Sequence, residues 1–143
     1  MQDCLFCRIA RGQVPAHIVD QDDDLVAFLD IHPVRPGHVL MIPREHHAYF
    51  DDLPPPLAAA MMAKAQRLAK ALKAAYAVER VALFCTGIHV AHAHAHLVPM
   101  HEPQDVTSTQ YIAQKDLAFV MPPQPPAAEL EAAAKAVRQA LAA

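Results

Sequence analysis

Residues 90–99 read Val90-Ala-His92-Ala-His94-Ala-His96-Leu-Val-Pro99, with three of the chain's 10 histidines at every second position. A β-strand sends alternate side chains to opposite faces, so a strand from Val90 to Val98 would place all three imidazoles on one side of a sheet. At the rise of a strand the α-carbons of His92 and His96 stand roughly 13 Å apart. Metal–nitrogen bonds are only about 2.0–2.1 Å long, so one ion could easily take two of these rings but would struggle to reach all three. The other chemistry open to the row is nucleophilic. An imidazole nitrogen can attack phosphorus and split a displacement into two steps, while neighbours orient it and move protons. His94 is the member with a histidine on both sides, which makes it the natural nucleophile.

The rest of the chain limits what such a row can serve. At 143 residues it fits one domain with a real core. A formal charge of −3 and scattered lysines and arginines give no footprint for nucleic acid. No apolar run approaches the roughly 20 residues that span a bilayer, and the first residues carry no signal-peptide pattern. Three cysteines, two of them three positions apart, argue for thiols or metal in a reducing, cytoplasmic setting.

Periodicity predicts an α+β fold. A short helix or turn over Leu5–Arg11 is stopped by Gly12 and Pro15. Strands follow at His17–Asp20, Leu25–Leu29 and His38–Ile42, the first two joined through Asp22-Asp23-Asp24. Leu57, Met61, Ala65, Leu68, Leu72 and Tyr76 mark a long amphipathic helix, started by Asp51 or Asp52 and the prolines after them. Val81–Phe84 and Val90–Val98 are the last two strands. A main domain of residues 1–120 is then followed, over 121–143, by a proline-rich spacer and a C-terminal helix packed on it, with Glu131 and Lys135 paired at i,i+4. Cys85 reads as a small core residue.

Two stretches carry a family resemblance. His92-Ala-His94-Ala-His96-Leu-Val resembles the histidine triad (HIT) signature. Phe28-Leu-Asp30-Ile31-His32-Pro33-Val34-Arg35-Pro36-Gly37-His38, followed by Ile42-Pro43-Arg44-Glu45-His46, resembles the family's other hallmark. The resemblance implies a HIT-type fold, with an antiparallel sheet of about five strands, one long helix and short or terminal helices. It also implies a hydrolase or transferase acting at the α-phosphorus of a purine nucleotide, and a homodimer built through the long helix and an adjoining strand. Position by position, His94 would become nucleotidylated, His96 would bond phosphate or the leaving group, and His92 would orient the site. Asp30 matches the residue for the ribose hydroxyls, and Phe6, Ile9, Phe28 and Ile31 the apolar positions around the base. His38 would support the triad. This chain departs from the common pattern in having neither Asn nor Gln in Phe84-Cys85-Thr86-Gly87-Ile88-His89, so phosphate contacts fall to Thr86, Gly87 and His89. Met100 stands where Arg often follows the proline.

Cys4-Leu-Phe-Cys7 is half of a zinc site or a thiol pair, and no strand precedes it to suggest a thioredoxin-like role. The resemblance supplies the missing ligands. His46, with His47 as a possible substitute, and His92 would complete a structural Cys2His2 zinc, leaving His94 and His96 for chemistry. The expected substrates are nucleoside phosphoramidates, acyl-nucleotides or dinucleoside polyphosphates, cleaved without a catalytic metal. Two rivals remain: a nucleotide-binding regulator with little catalysis, and a metal-dependent hydrolase that uses the row as ligands.

Overall fold

Short apolar runs bounded by turn residues pair into one antiparallel sheet. Strands β1 (Ile18–Gln21), β2 (Leu25–Leu29), β3 (Val39–Pro43), β4 (Arg80–Phe84) and β5 (Ala95–Met100) stand in the order β1-β2-β3-β5-β4. The computed structural model of the chain describes residues 4–103, 105–106 and 121–143. Helix α1 (Leu5–Ala10) precedes the sheet, α2 (Pro55–Tyr76) joins β3 to β4, and α3 (Ala127–Ala142) ends the chain. No helix among the described residues is long and apolar enough to cross a membrane.

The β1–β2 hairpin closes on Asp22, whose Oδ1 accepts the amides of Asp24 at 2.9 Å and Leu25 at 2.8 Å. That side-chain turn is what an Asp-rich connection is suited to make. Lys64 of α2 bridges Asp20 and Asp22, each at 2.7 Å, so the hairpin is also tied to the helix.

Strands β2 and β3 are buried on both faces, and alternation divides their side chains between two cores. Leu25, Ala27, Leu29, Val39 and Met41 meet Met61, Leu68 and Leu72 of α2 and Leu130, Ala134 and Val137 of α3. Ala93 and Ala95, the small spacers between the histidines, are almost fully buried in this same core. On the opposite face Val26, Phe28, Leu40 and Ile42 pack with Phe6 and Ala10 of α1. Arg44 holds α1 in place, its Nη1 donating to the Ala10 carbonyl at 2.7 Å and its Nε to that of Asp22 at 2.7 Å.

Several local expectations are corrected. The fifth strand begins at Ala95, not Val90, so His96 alone of the three histidines is a strand residue. The amide of Ala93 donates to the His47 carbonyl at 2.6 Å and holds the preceding segment outside the ladder. Helix α2 starts at Pro55 after Pro54, and the Asp52 carboxylate instead accepts the Tyr49 amide of a preceding 3-10 turn, Phe50–Asp52. Glu131 bonds Arg138 at 2.7 Å and His17 at 3.4 Å in place of Lys135, which fastens α3 to the start of β1. Cys85 is exposed, because it lies just past the end of edge strand β4.

Candidate active site

The site lies on the α1 face, at the end of the sheet. Cross-strand register places Phe28, Leu40, His96 and Phe84 in one row. The His96 ring stacks flat on Phe84, with centroids 4.7 Å apart and planes 10° apart. His38, at the entry to β3, reaches His96 with its Nε2 2.9 Å from His96 Nδ1.

Hydrogen bonding decides where the protons sit. The backbone amide of Val34 donates to His38 Nδ1 at 3.1 Å, so that nitrogen is an acceptor. A neutral His38 must then carry its proton on Nε2 and donate to His96 Nδ1. The remaining proton of His96 is therefore on Nε2. Burial keeps these rings neutral at ordinary pH. Desolvation lowers the pKa of His38 against the opposing pull of Asp30. Desolvation, reinforced by His38 and His94, brings that of His96 to about 4.

His94 is wired in the opposite sense. Its Nδ1 donates to the His92 carbonyl at 2.7 Å, so its Nε2 keeps the lone pair. Phe6 of α1 meets the ring edge-on with centroids 5.2 Å apart, and the His96 centroid is 4.9 Å away. A buried nitrogen with a free lone pair thus stands beside a ring whose free nitrogen bears hydrogen.

His92 turns away from that pair. Its Nε2 donates to the Pro43 carbonyl at 2.9 Å, which leaves the Nδ1 lone pair facing Cys4 Sγ at 3.4 Å and Cys7 Sγ at 3.5 Å. His46 Nδ1 lies 3.3 Å from Cys7 Sγ, and the four candidate ligand atoms all fall within 4.8 Å of one another. A tetrahedral zinc with such ligands has edges of about 3.4–3.8 Å, so the donor set fits the ion in both chemistry and spacing. Burial and the neighbouring Cys4 raise the Cys7 pKa, and a bound dication would reverse that penalty. His47 stands outside this group, with Glu45 3.9 Å from its Nε2.

Asp30, His38 and His96 form a second close group of potential ligands. Here the Val34 amide forces a proton onto the nitrogen of His38 that would have to bind metal. A proton, not a lone pair, thus faces His96 Nδ1 from His38.

Asp30 is half-buried, with Oδ1 accepting the His32 amide at 2.8 Å and Oδ2 3.7 Å from His38 Nε2. Phe6 and Phe28 are buried edge-to-face with centroids 5.6 Å apart, while Ile9 is half-buried against their cluster and Ile31 is exposed. The two phenylalanines are thus a floor, and the two isoleucines are surfaces a ligand can reach. Thr86 Oγ1 accepts the Ile88 amide at 3.5 Å. Gly87 and His89 both adopt left-handed backbone, with φ of 68° and 73°. Phe84 stacks on the His96 ring, so this segment leaves β4 beside that ring. Sequence reasoning missed Tyr49, whose ring covers the Gly87 backbone, and the Val34 amide. Tyr49 lies outside the signature motifs, and an amide has no side-chain signal.

A family model described as the HIT domain matches residues 11–103. The chain belongs to the HIT family. Among the relatives of this HIT protein is an adenosine 5′-monophosphoramidase of Saccharomyces cerevisiae, 34% identical over 113 residues that make up 78% of this chain and 72% of the yeast protein. An adenylylsulfatase of Arabidopsis thaliana is 29% identical over 120 residues, 80% of this chain, which spans 61% of the plant protein's length. A zinc-bound histidine triad protein of Mycobacterium smegmatis superposes with a TM-score of 0.78 at 28% identity, covering 99% of this chain and 94% of that one. The relatives of this HIT protein therefore include nucleotide hydrolases, and the Cys4, Cys7, His46 and His92 group has the composition to bind metal.

Proposed function

We propose that this HIT protein hydrolyses nucleotides at the α-phosphorus through a nucleotidyl-His94 intermediate. The opposed wiring of His94 and His96 carries the reading: an Nε2 lone pair fixed by the His92 carbonyl, beside an Nε2 proton fixed through His38. In the first half-reaction His94 Nε2 forms a bond to phosphorus as the bond to the leaving group breaks. His96 donates an Nε2–H hydrogen bond to the departing atom, which leaves with the bonding pair and takes its proton from solvent water, and the ring of nucleotidyl-His94 carries the balancing positive charge. In the second half water attacks the same phosphorus, loses its proton to solvent and frees His94. The products are the leaving group with its added hydrogen and a nucleoside monophosphate. Asp30 serves the ribose hydroxyls, Ile9 and Ile31 close on a base above Phe6 and Phe28, and His92, with zinc, fixes the carbonyl that aims His94. A structural zinc at Cys4, Cys7, His46 and His92 supplies rigidity and takes no part in the displacement.

The test is release of AMP from adenosine 5′-phosphoramidate, with acid-quenched mass spectrometry for the covalent adduct. His94→Ala should lower turnover by at least about a thousandfold and abolish the adduct. A variant that still turns over sinks the assignment, and binding without AMP release by the unaltered protein would favour the regulatory reading. Activity abolished by a chelator that leaves the fold intact would favour catalysis by metal.

The homodimer is also part of this proposal. Edge strand β4 and α2 bound an apolar hollow of ≈ 630 Å³ with Ala59, Met62, Ala63, Val81 and Leu83 along it, a face suited to a second copy of the chain. Sedimentation giving a single-chain mass would remove it.

A further inference from the structure

Resting on that function, we infer that the Arg35–Asp105 ion pair is a positioning device for the reaction. It joins the turn that carries His38 to the strand that carries His96, and so holds the proton between the two rings. Arg35 Nη2 donates to Asp105 Oδ1 at 2.8 Å and Nε to Oδ2 at 3.0 Å, a two-point grip that fixes direction as well as distance.

Each end of the pair leads to one end of the His38–His96 hydrogen bond. On one side the Arg35 carbonyl accepts the His38 amide at 3.1 Å, and the neighbouring Val34 amide donates to His38 Nδ1 at 3.1 Å. On the other, Asp105 Oδ2 accepts the amides of His101 at 2.8 Å and Glu102 at 3.0 Å, the two residues after the end of β5. His96 lies in that strand. The path therefore closes on itself. It runs from His38 through Arg35, Asp105 and β5 to His96, and back across 2.9 Å between the rings.

The 34–38 turn needs such a hold. Val34 and Pro36 are exposed, and Gly37 takes a left-handed φ of 86°. Tyr76 of α2 lies so close to Gly37 that a Cβ there would overlap its ring. That contact backs the turn without directing it, because the buried phenol oxygen has no hydrogen-bond partner among the described residues. Arg35 supplies the direction. Its anchor is firm, since the Asp105 side chain is only 7% exposed. The hydrogen bonds from Arg35 hold the Asp105 carboxyl well below the usual carboxylate range, so the grip persists at neutral pH.

Without the pair the turn can shift against β5, and His38 Nε2 then loses its acceptor. The His96 proton is free to move to Nδ1, which strips hydrogen from the Nε2 that serves the departing atom. Rate should suffer more than binding.

The test is a double-mutant cycle of Arg35→Gln, Asp105→Asn and the two combined. It is read by AMP release from adenosine 5′-phosphoramidate and by nitrogen-15 shifts of the histidine rings. Each single change should lower kcat by about tenfold or more with a smaller change in KM, and turn His96 from one tautomer into a mixture. The combined change should be no worse than either alone, as two halves of one contact require. Arg35→Lys keeps the charge without the two-point grip and should recover only part of the rate. Lys64→Gln, which breaks the ion pairs to Asp20 and Asp22, is the structural control: it should lower the melting temperature and leave the tautomers as they were. Melting curves show which variants fold, and either partner alone suffices to break the pair. Losses that multiply in the combined variant, tautomers unmoved in folded variants, or an equal shift in Lys64→Gln would overturn the inference. So would a KM rise confined to Arg35→Gln, which would place Arg35 on the substrate. The hydrolase reading fails separately, if the unaltered protein releases no AMP; the ring shifts still judge the ion pair in that case.

Discussion

Two clusters of the molecule gather histidines with other ligand-type side chains at the same density, and they differ in where the protons are. In the Cys4, Cys7, His46 and His92 group, His92 spends its Nε2 proton on the Pro43 carbonyl, so a lone pair points at the thiols. In the Asp30, His38 and His96 group, the Val34 amide occupies the outer nitrogen of His38, so a proton points inward. Proximity alone makes both look like metal sites. The partner of the remote ring nitrogen separates them, as it does for histidine ligands generally.

The largest test of that contrast is metal content. Cys7→Ser and His92→Asn should reduce bound zinc to near zero and lower the thermal midpoint by more than about 10 °C, since ligation is folding energy. His38→Asn and His96→Asn should keep the zinc content of the unaltered protein. Elemental analysis on gel-filtered samples reads this directly, and zinc lost on changing His96 would break the contrast.

A smaller effect should appear with pH. The His96 pKa of about 4 lies below its ordinary 6.5, so the folded state resists a proton that the unfolded chain accepts. Its contribution to stability is complete above about pH 6.5, falls as the pH drops towards 4, and is then level. After allowance for partial exposure this amounts to about 2 kcal/mol. Urea unfolding at pH 7 and pH 4.5 should show that the unaltered protein loses more than His96→Asn does; equal losses would contradict the buried neutral pair.

The smallest effect should come from the amide. Val34→Pro removes the donor to His38 Nδ1 and allows both ring tautomers, with a loss of about tenfold in turnover, or ~1.4 kcal/mol. Nitrogen-15 shifts of the His38 ring should show the mixture, and an unchanged tautomer would show that the Val34 bond is not what directs the proton.

Much of this was open to sequence reasoning, and the exceptions share a cause. The buried strands β2 and β3 and helix α2 follow from runs and periods of apolar residues, which are side-chain properties. The Cys4 and Cys7 pair could be joined to His46 and His92 because the resemblance supplied the missing ligands. The strand assigned to His92 and His94 failed because a backbone bond from Ala93 to His47 ends the ladder early. The protonation of His38, the carbonyl that aims His94 and the ring above Gly87 also depend on backbone groups brought from distant positions. No side-chain pattern announces those.

The two alanines between the histidines have a consequence of their own. Ala93 and Ala95 are buried in the core that α2 shares, so a single methyl group at each helps set how near that helix stands to the histidine segment. A valine at either position would add bulk where the interior is already close-packed. Lineages that enlarge a spacer should therefore trim the facing turn of α2 in the same step, and the two sites are bound to drift as one.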